Sequence, residues 1–186
     1  MIAFGACSQG ESLPLNPGYP ADIFTACMTT PLRMAILWFC NHSLLNTVPA
    51  EAAAELPGSS SDRTSPLGEL SWIFTTITDT IAWNTLPREM FQRYFRQDSH
   101  VANLFRNFLL ADRIMRSLNC VPVSYPRLPA THNHPLWQSW DMVVDACLMQ
   151  HDALQHGAPY EPSRFFGDQL KAFEVALEFG ATAGAA

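Results

Sequence analysis

Charged side chains are scarce in this sequence of 186 residues, and lysine is almost missing. Asp, Glu, Lys and Arg make up 15% of the chain, whereas a soluble domain usually carries about 25%. Lys171 is the single lysine, and ten arginines supply the other cations. The net charge of −6, without a basic stripe, argues against nucleic acid as a partner. So little charge indicates a surface partly covered by another protein, where arginine is favoured.

Paired cysteines and long apolar runs are also lacking. The five cysteines are odd in number and show no C-x-x-C spacing: Cys7, Cys27, Cys40, Cys120 and Cys147. This pattern predicts reduced thiols in a cytoplasmic protein. No apolar run reaches the roughly 18 residues of a membrane span, and the apolar start lacks the basic residues of a signal peptide.

Apolar periodicity, with proline at several helix starts, predicts a mainly α fold. We expect a multi-helix array with helices at 31–45, 66–84, 99–118, 135–150 and 162–179, and shorter helices at 51–56 and 87–96. One short apolar strand, from Met1 to Ala6, precedes them, and 119–133 reads as a loop. Thr30 and Ser65 stand before prolines as predicted helix caps, and Asp98 or Ser99 caps the helix at 99–118.

The predicted helix at 66–84 has two faces. Its apolar face carries Leu70, Ile73, Phe74, Ile77 and Ile81. Trp72 and Trp83 are eleven residues apart, about three turns, and therefore share a second face. Two packing faces predict a layered helical array.

The arginines are the candidate partner-binding residues, together with Trp72 and Trp83. Arg88, Arg93 and Arg96 lie close to Phe91, Tyr94 and Phe95, and Arg106 and Arg113 are seven residues apart in the next helix. Such cations around an apolar pocket suit a ligand with an aromatic anchor beside carboxylates. The alternative is that these arginines pair with Glu89, Asp98 and Asp112 and hold the helices together.

Two groups of residues suggest chemistry only weakly. Cys7 follows an apolar strand, as a cysteine-peptidase nucleophile would, but no histidine precedes it to act as its base. His132 and His134, with His151 and His156, lack the carboxylate or cysteine that would complete a metal site. No phosphate-binding or dinucleotide-binding glycine motif occurs. We therefore predict no enzyme activity, metal or cofactor.

Five uninterrupted strings carry a resemblance to a known family. They read PADIFTACMTTP at 20–31, LGELSWIFT at 67–75, TDTIAWN at 78–84, LFRNFLLA at 104–111 and RIMRS at 113–117. They resemble the Raptor family, the regulatory-associated proteins of the TOR kinase, and the resemblance runs from Ile2 to about Gly180.

The resemblance implies a scaffold, or adaptor, of TOR complex 1. Members of the family have a caspase-like N-terminal domain, an α-solenoid and a β-propeller. They hold the TOR kinase and recruit substrates that carry a short Phe-plus-acidic motif, in signalling that links nutrients to cell growth. On this basis 1–20 is a remnant of the caspase-like α/β domain, 21–156 is the helical part of the N-terminal conserved region, and 157–186 leads into the α-solenoid. Cys7 takes the degenerate nucleophile position, and we expect the chain to be truncated relative to the family.

Overall fold

The computed structural model of the protein describes residues 2–20, 22–43, 48–50 and 56–164. In these ranges the elements are, in chain order, β1 (Ala3–Gly5), α1 (Ile23–Thr29), α2 (Pro31–His42), α3 (Pro66–Thr85), α4 (Arg88–Phe91), a π-helical turn (Gln92–Arg96), α5 (Ser99–Ser117), β2 (Val123–Tyr125), α6 (Leu136–Leu148) and α7 (His151–Gln155). The predicted mainly α class is confirmed. The predicted helices at 66–84, 99–118 and 135–150 match α3, α5 and α6 to within two residues at each end.

Some predicted helical residues lie outside the described ranges: 44–45, 51–55 and 165–179. Residues 162–164 are described and are not helical. The structure adds α1, which the sequence analysis did not predict. Its cap is Asp22, whose carboxylate accepts the Thr25 N–H at 3.0 Å.

The sequence analysis predicted a single N-terminal strand, but the structure pairs this strand with a second one. β2 runs antiparallel to β1, with Ala3 opposite Tyr125 and Gly5 opposite Val123. It lies inside the segment predicted as a loop. β2 has three residues between Pro122 and Pro126. So short a segment cannot show the alternation of apolar and polar residues that indicates a strand.

Of the predicted caps, Ser65 and Asp98 are confirmed, whereas Thr30 is the N-cap residue of α2 but makes no side-chain capping hydrogen bond. The Ser65 hydroxyl accepts the Gly68 N–H at 3.2 Å, and the Asp98 carboxylate accepts the His100 and Val101 N–H groups. Thr30 also ends α1, and its hydroxyl donates backwards to the Ala26 carbonyl at 3.1 Å. The hydroxyl makes no hydrogen bond to the first turn of α2.

The centre of the core is the fully buried ring of Phe105 in α5. Phe4 of β1 packs edge-on against it at 5.1 Å, and Tyr94 of the π-helical turn stacks on it at 4.6 Å. Elsewhere in the core, Phe74 of α3 meets Trp140 of α6 at 5.5 Å. The predicted apolar face of α3 is buried, which leaves its tryptophan face outward. Within the described ranges no helix is both long and apolar enough to cross a membrane.

Candidate functional site

Trp72 and Trp83 lie on one face of α3, as their spacing predicts, and both line a surface cavity of about 390 Å³. The other lining residues are Thr75, Thr76, Asp79, Thr80, Phe91 and Arg96. Trp83 is 56% exposed and meets Phe91 edge-on at 5.1 Å. A large, exposed indole beside a second ring offers apolar contact area to a partner.

Two guanidinium groups lie over the rings of this cavity. Arg96 Cζ is 5.3 Å from the centre of the Phe91 ring, and Arg63 Cζ is 4.5 Å from that of Trp72. Both distances are within the range of cation–π attraction. We call Arg63, Arg96, Trp72, Trp83 and Phe91 the arginine–tryptophan face. Sequence reasoning missed Arg63, because nothing in the polar loop at 57–65 indicates that it folds back over α3.

Arg88, Arg93 and Arg96 are all exposed, and no ion pair joins them to a carboxylate of the described residues. Ion pairs of these three arginines with Glu89 or Asp98 are therefore not observed among the described residues. Asp98 accepts backbone N–H groups instead. Arg93 Cζ lies 5.6 Å from the centre of the Tyr94 ring. These three guanidinium groups keep donors available for an incoming carboxylate.

Arg106 has a different role, since its hydrogen-bonding groups are occupied. Its Nε and Nη2 bond the two oxygens of Asp79 at 2.7 and 3.1 Å, and its Nη1 bonds Asn103 at 2.7 Å. Its side chain is only 13% exposed. Arg106 therefore ties α5 to α3 and neutralises Asp79, which lines the cavity.

Arg113 lies elsewhere, in contact with α2 and α6. Its Nη2 bonds Asp141 at 2.6 Å, and its Cζ is 4.4 Å from the Trp38 ring centre and 5.0 Å from that of Trp137. Arg106 and Arg113, two turns apart on α5, therefore contact different helices. The contacts of these two arginines agree with the alternative interpretation, in which they hold helices together.

Cys7 lies half-buried just after β1, and its Sγ is 3.8 Å from the Glu11 carbonyl oxygen. No hydrogen bond joins it to a histidine in the described part of the chain. A nucleophilic thiol needs such a base to hold it as thiolate. The described contacts of Cys7 supply none.

The four candidate metal-binding histidines do not share one set of contacts. His134 Nδ1 accepts the Leu136 N–H at 3.2 Å, and burial lowers the pKa of this imidazole. His132 Nδ1 is 4.0 Å from an Asp112 oxygen, while His151 and His156 both approach Asp152. Among the described residues, no three or more His, Cys, Asp or Glu side chains are grouped so that they could hold a metal ion.

Comparison with known proteins gives strong sequence similarity. No family model matches the chain. It is 57% identical over 181 residues to the protein raptor homolog of Dictyostelium discoideum and 54% identical over 182 residues to regulatory-associated protein of TOR 1 of Arabidopsis thaliana. It is 50% identical over 186 residues to target of rapamycin complex 1 subunit mip1 of Schizosaccharomyces pombe. Each match covers 96% of this chain.

The fold is similar as well. The crystal structure of Chaetomium thermophilum Raptor matches with a TM-score of 0.90 and 53% identity, covering 95% of this chain and 16% of that one. The chain spans 12% to 14% of the length of the three relatives.

Proposed function

Because the chain belongs to the Raptor family over 96% of its length, we propose that it acts as a scaffold segment of TOR complex 1. The relative from Schizosaccharomyces pombe is named as a subunit of that complex, and two plant relatives are named regulatory-associated proteins of TOR. In this proposal the segment contacts the TOR kinase and helps to recruit its substrates in the cytoplasm. Residues 1–20 belong to a caspase-like α/β domain, 21–156 to the helical conserved region, and 157–186 lead into an α-solenoid.

The proposal assigns no reaction to the chain. Cys7, in the position of a degenerate caspase nucleophile, donates to a backbone carbonyl and has no histidine partner among the described residues. A thiol without a base is a weak nucleophile at neutral pH. The cysteine-peptidase alternative therefore has no supporting contact, and the segment acts by binding.

The arginine–tryptophan face is the proposed substrate-binding surface, and one observation carries this assignment. Asp79, the single carboxylate among the described residues that line the cavity, is held by Arg106, so Arg63 and Arg96 keep their charge for a ligand. Trp72, Trp83 and Phe91 supply an apolar surface for an aromatic side chain. A short Phe-plus-acidic motif would therefore place its ring beside Trp83 and its carboxylates on the arginines, with Arg88 and Arg93 at the margin.

A binding measurement tests this proposal. A fluorescently labelled, capped peptide with one phenylalanine followed by acidic residues is titrated with the chain and followed by anisotropy. We expect Arg96→Gln to weaken binding by roughly 1–3 kcal/mol if the contact is desolvated, and Trp83→Ala by about 2 kcal/mol if the indole is an anchor. Neither side chain is buried, so both variants should keep the melting temperature of the parent.

Two controls make the result specific. A peptide with alanine in place of phenylalanine should bind more weakly than the original. Arg33→Gln removes an exposed arginine that does not line the cavity, and it should leave affinity unchanged. If Arg33→Gln and Arg96→Gln lower the peptide affinity equally, the effect comes from net charge alone, and this face is not the binding site.

A further inference from the structure

A second concave surface is formed where α5 packs against the segment that follows it. Two cavities, of about 650 and 480 Å³, adjoin there and share Arg116 and Val121 in their walls. Trp38 and Arg113 line the first cavity, whereas Arg127 lines the second. We call the two together the Arg116 groove. It has no lining residue in common with the arginine–tryptophan face.

Arginines line the groove in a chain whose net charge is −6. Its lining contains three arginines, Arg113, Arg116 and Arg127, and one carboxylate, Asp112. Two carboxylates outside the lining also touch it: Asp141 bonds Arg113, and Glu11 accepts the N–H groups of Ser8 and Val121. Arg127 is therefore the lining arginine without a carboxylate partner among the described residues. Guanidinium groups without a carboxylate partner in a concave surface attract anionic ligands.

Both oxygens of Asp112 already accept hydrogen bonds. The groups that the groove can still offer to a ligand are therefore mostly hydrogen-bond donors. Asp112 Oδ1 accepts from Arg116 Nε at 2.6 Å, and its Oδ2 accepts the Thr131 N–H at 2.9 Å. Only Nε of Arg116 is used in this way, and its side chain is 27% exposed, so both of its Nη groups remain. Arg127 is exposed and has no ion-pair or hydrogen-bond partner in the described part of the chain.

A further orphaned donor lies in the wall. Nη1 of Arg113 is buried and has no hydrogen-bond partner among the described residues, although the side chain is held by Asp141 and by two indoles. A buried guanidinium nitrogen without a partner costs free energy. A carboxylate entering the first cavity beside Trp38 would recover part of this cost after a small shift of the side chain.

The shape and lining decide what kind of anion fits. Trp38 and Val121 in the first cavity, and Phe108 and Leu128 in the second, give the groove apolar walls between its cations. A small free anion would use one cation and leave these walls uncovered. We propose that the Arg116 groove binds an extended acidic peptide segment of a partner protein, in which carboxylates alternate with apolar side chains.

The test uses the 186-residue chain and two synthetic probes. One is a capped peptide of alternating glutamate and leucine, and the other is the same peptide with glutamine for glutamate. We expect the glutamate peptide to bind in calorimetry, to lose affinity as salt is added, and to shift the Trp38 indole signal in a two-dimensional NMR spectrum. The glutamine peptide should bind at least about tenfold more weakly.

Variants then locate the site. Arg127→Gln, at an exposed position, should reduce affinity for the glutamate peptide about three- to fivefold. Arg33→Gln makes the same change of net charge outside the groove and should leave affinity as it was. Arg116→Lys keeps the charge beside Asp112 but has one nitrogen in place of Nε and the two Nη groups. It should therefore also weaken binding.

Three results would overturn the proposal. One is equal binding of the glutamate and glutamine peptides, or binding of neither. Another is an equal effect of Arg127→Gln and Arg33→Gln. The third is a shift of the Trp38 signal by inorganic phosphate alone, with no response to the peptide, which would mean a simple anion site. Loss of peptide binding at the arginine–tryptophan face would not affect these measurements, because the two surfaces share no lining residue.

Discussion

Arg106 and Asp79 form a two-point ion pair between α5 and α3, with Nε–Oδ1 at 2.7 Å and Nη2–Oδ2 at 3.1 Å. The side chains are 13% and 23% exposed, so solvent screens the pair only in part. Parallel donors on a planar guanidinium match the two carboxylate oxygens, which fixes geometry as well as charge. This pair joins the helix that carries the tryptophan face to the central helix of the core.

Arg106→Gln should therefore destabilise the fold. Removing one partner leaves Asp79 partly desolvated and unpaired, which we expect to cost about 1–3 kcal/mol in the free energy of unfolding. Urea denaturation measures it. Arg93→Gln is the matched control, since Arg93 is exposed and has no ion pair in the described residues, and it should change stability by less than about 0.5 kcal/mol. If the two variants lose the same amount, the pair between α5 and α3 is not a stabilising contact.

Gly68→Ala should destabilise the chain even though it replaces glycine inside a helix. Alanine normally stabilises a helix by about 1 kcal/mol relative to glycine. Here a Cβ at position 68 would press into the carbonyl oxygen of Asp62 and lie 2.6 Å from that of Ser59. These are backbone atoms of the loop before α3, so relief requires the loop to move. We expect a net loss of about 1–3 kcal/mol by thermal or urea unfolding; any gain in stability would show that the loop moves away at little cost.

A buried carboxylate, Glu69, holds the segment after α7. It accepts the Tyr160 O–H at 2.5 Å and the Ser163 N–H and hydroxyl at 2.9 and 3.0 Å. Burial, followed by the Glu69 hydrogen bond, raises the pKa of Tyr160 well above its ordinary range. The phenol thus stays protonated in the folded chain at a pH where it ionises in the unfolded chain.

Tyr160→Phe tests this contact in two ways. At neutral pH it should cost about 1 kcal/mol, the net value of one hydrogen bond. Because the folded pKa is the higher one, the stabilisation is complete below about pH 10, the pKa of a free tyrosine, and is lost as the pH rises beyond it. The parent chain should therefore lose more stability than Tyr160→Phe between about pH 9 and 11. Parallel alkaline curves would exclude Tyr160 as the titrating group.

Local patterns predicted much of this fold, and contacts between distant segments account for what they missed. The spacing of Trp72 and Trp83 was sufficient to place both on one outward face, since a helix repeats every 3.6 residues. Arg63 over Trp72 and Ser163 on Glu69 have no such signature, because each depends on how a loop returns to α3. Arg106 and Arg113 show the same limit, since their partners are on other helices.

Protonation of His134 should lower the stability of the fold in mild acid. Its Nδ1 accepts the Leu136 N–H at the start of α6, which only a neutral imidazole can do, and burial lowers its pKa below the ordinary value near 6.5. With the lower pKa in the folded state, the unfolded chain binds the proton first. The stabilisation is therefore complete above about pH 6.5 and is lost as the pH falls below it.

The variant His134→Asn separates this effect from other acid titrations. Asparagine can accept the same N–H through its side-chain oxygen but does not titrate, so it should stay near the parent at neutral pH. Between about pH 7 and 5 the parent should lose up to about 1 kcal/mol more than the variant, the usual value of a helix cap. Carboxylates such as Asp22 and Asp98, whose hydrogen bonds lower their pKa values, titrate at lower pH and do so in both proteins. A parent and variant that lose stability in parallel over this range would show that protonation of His134 does not open the start of α6.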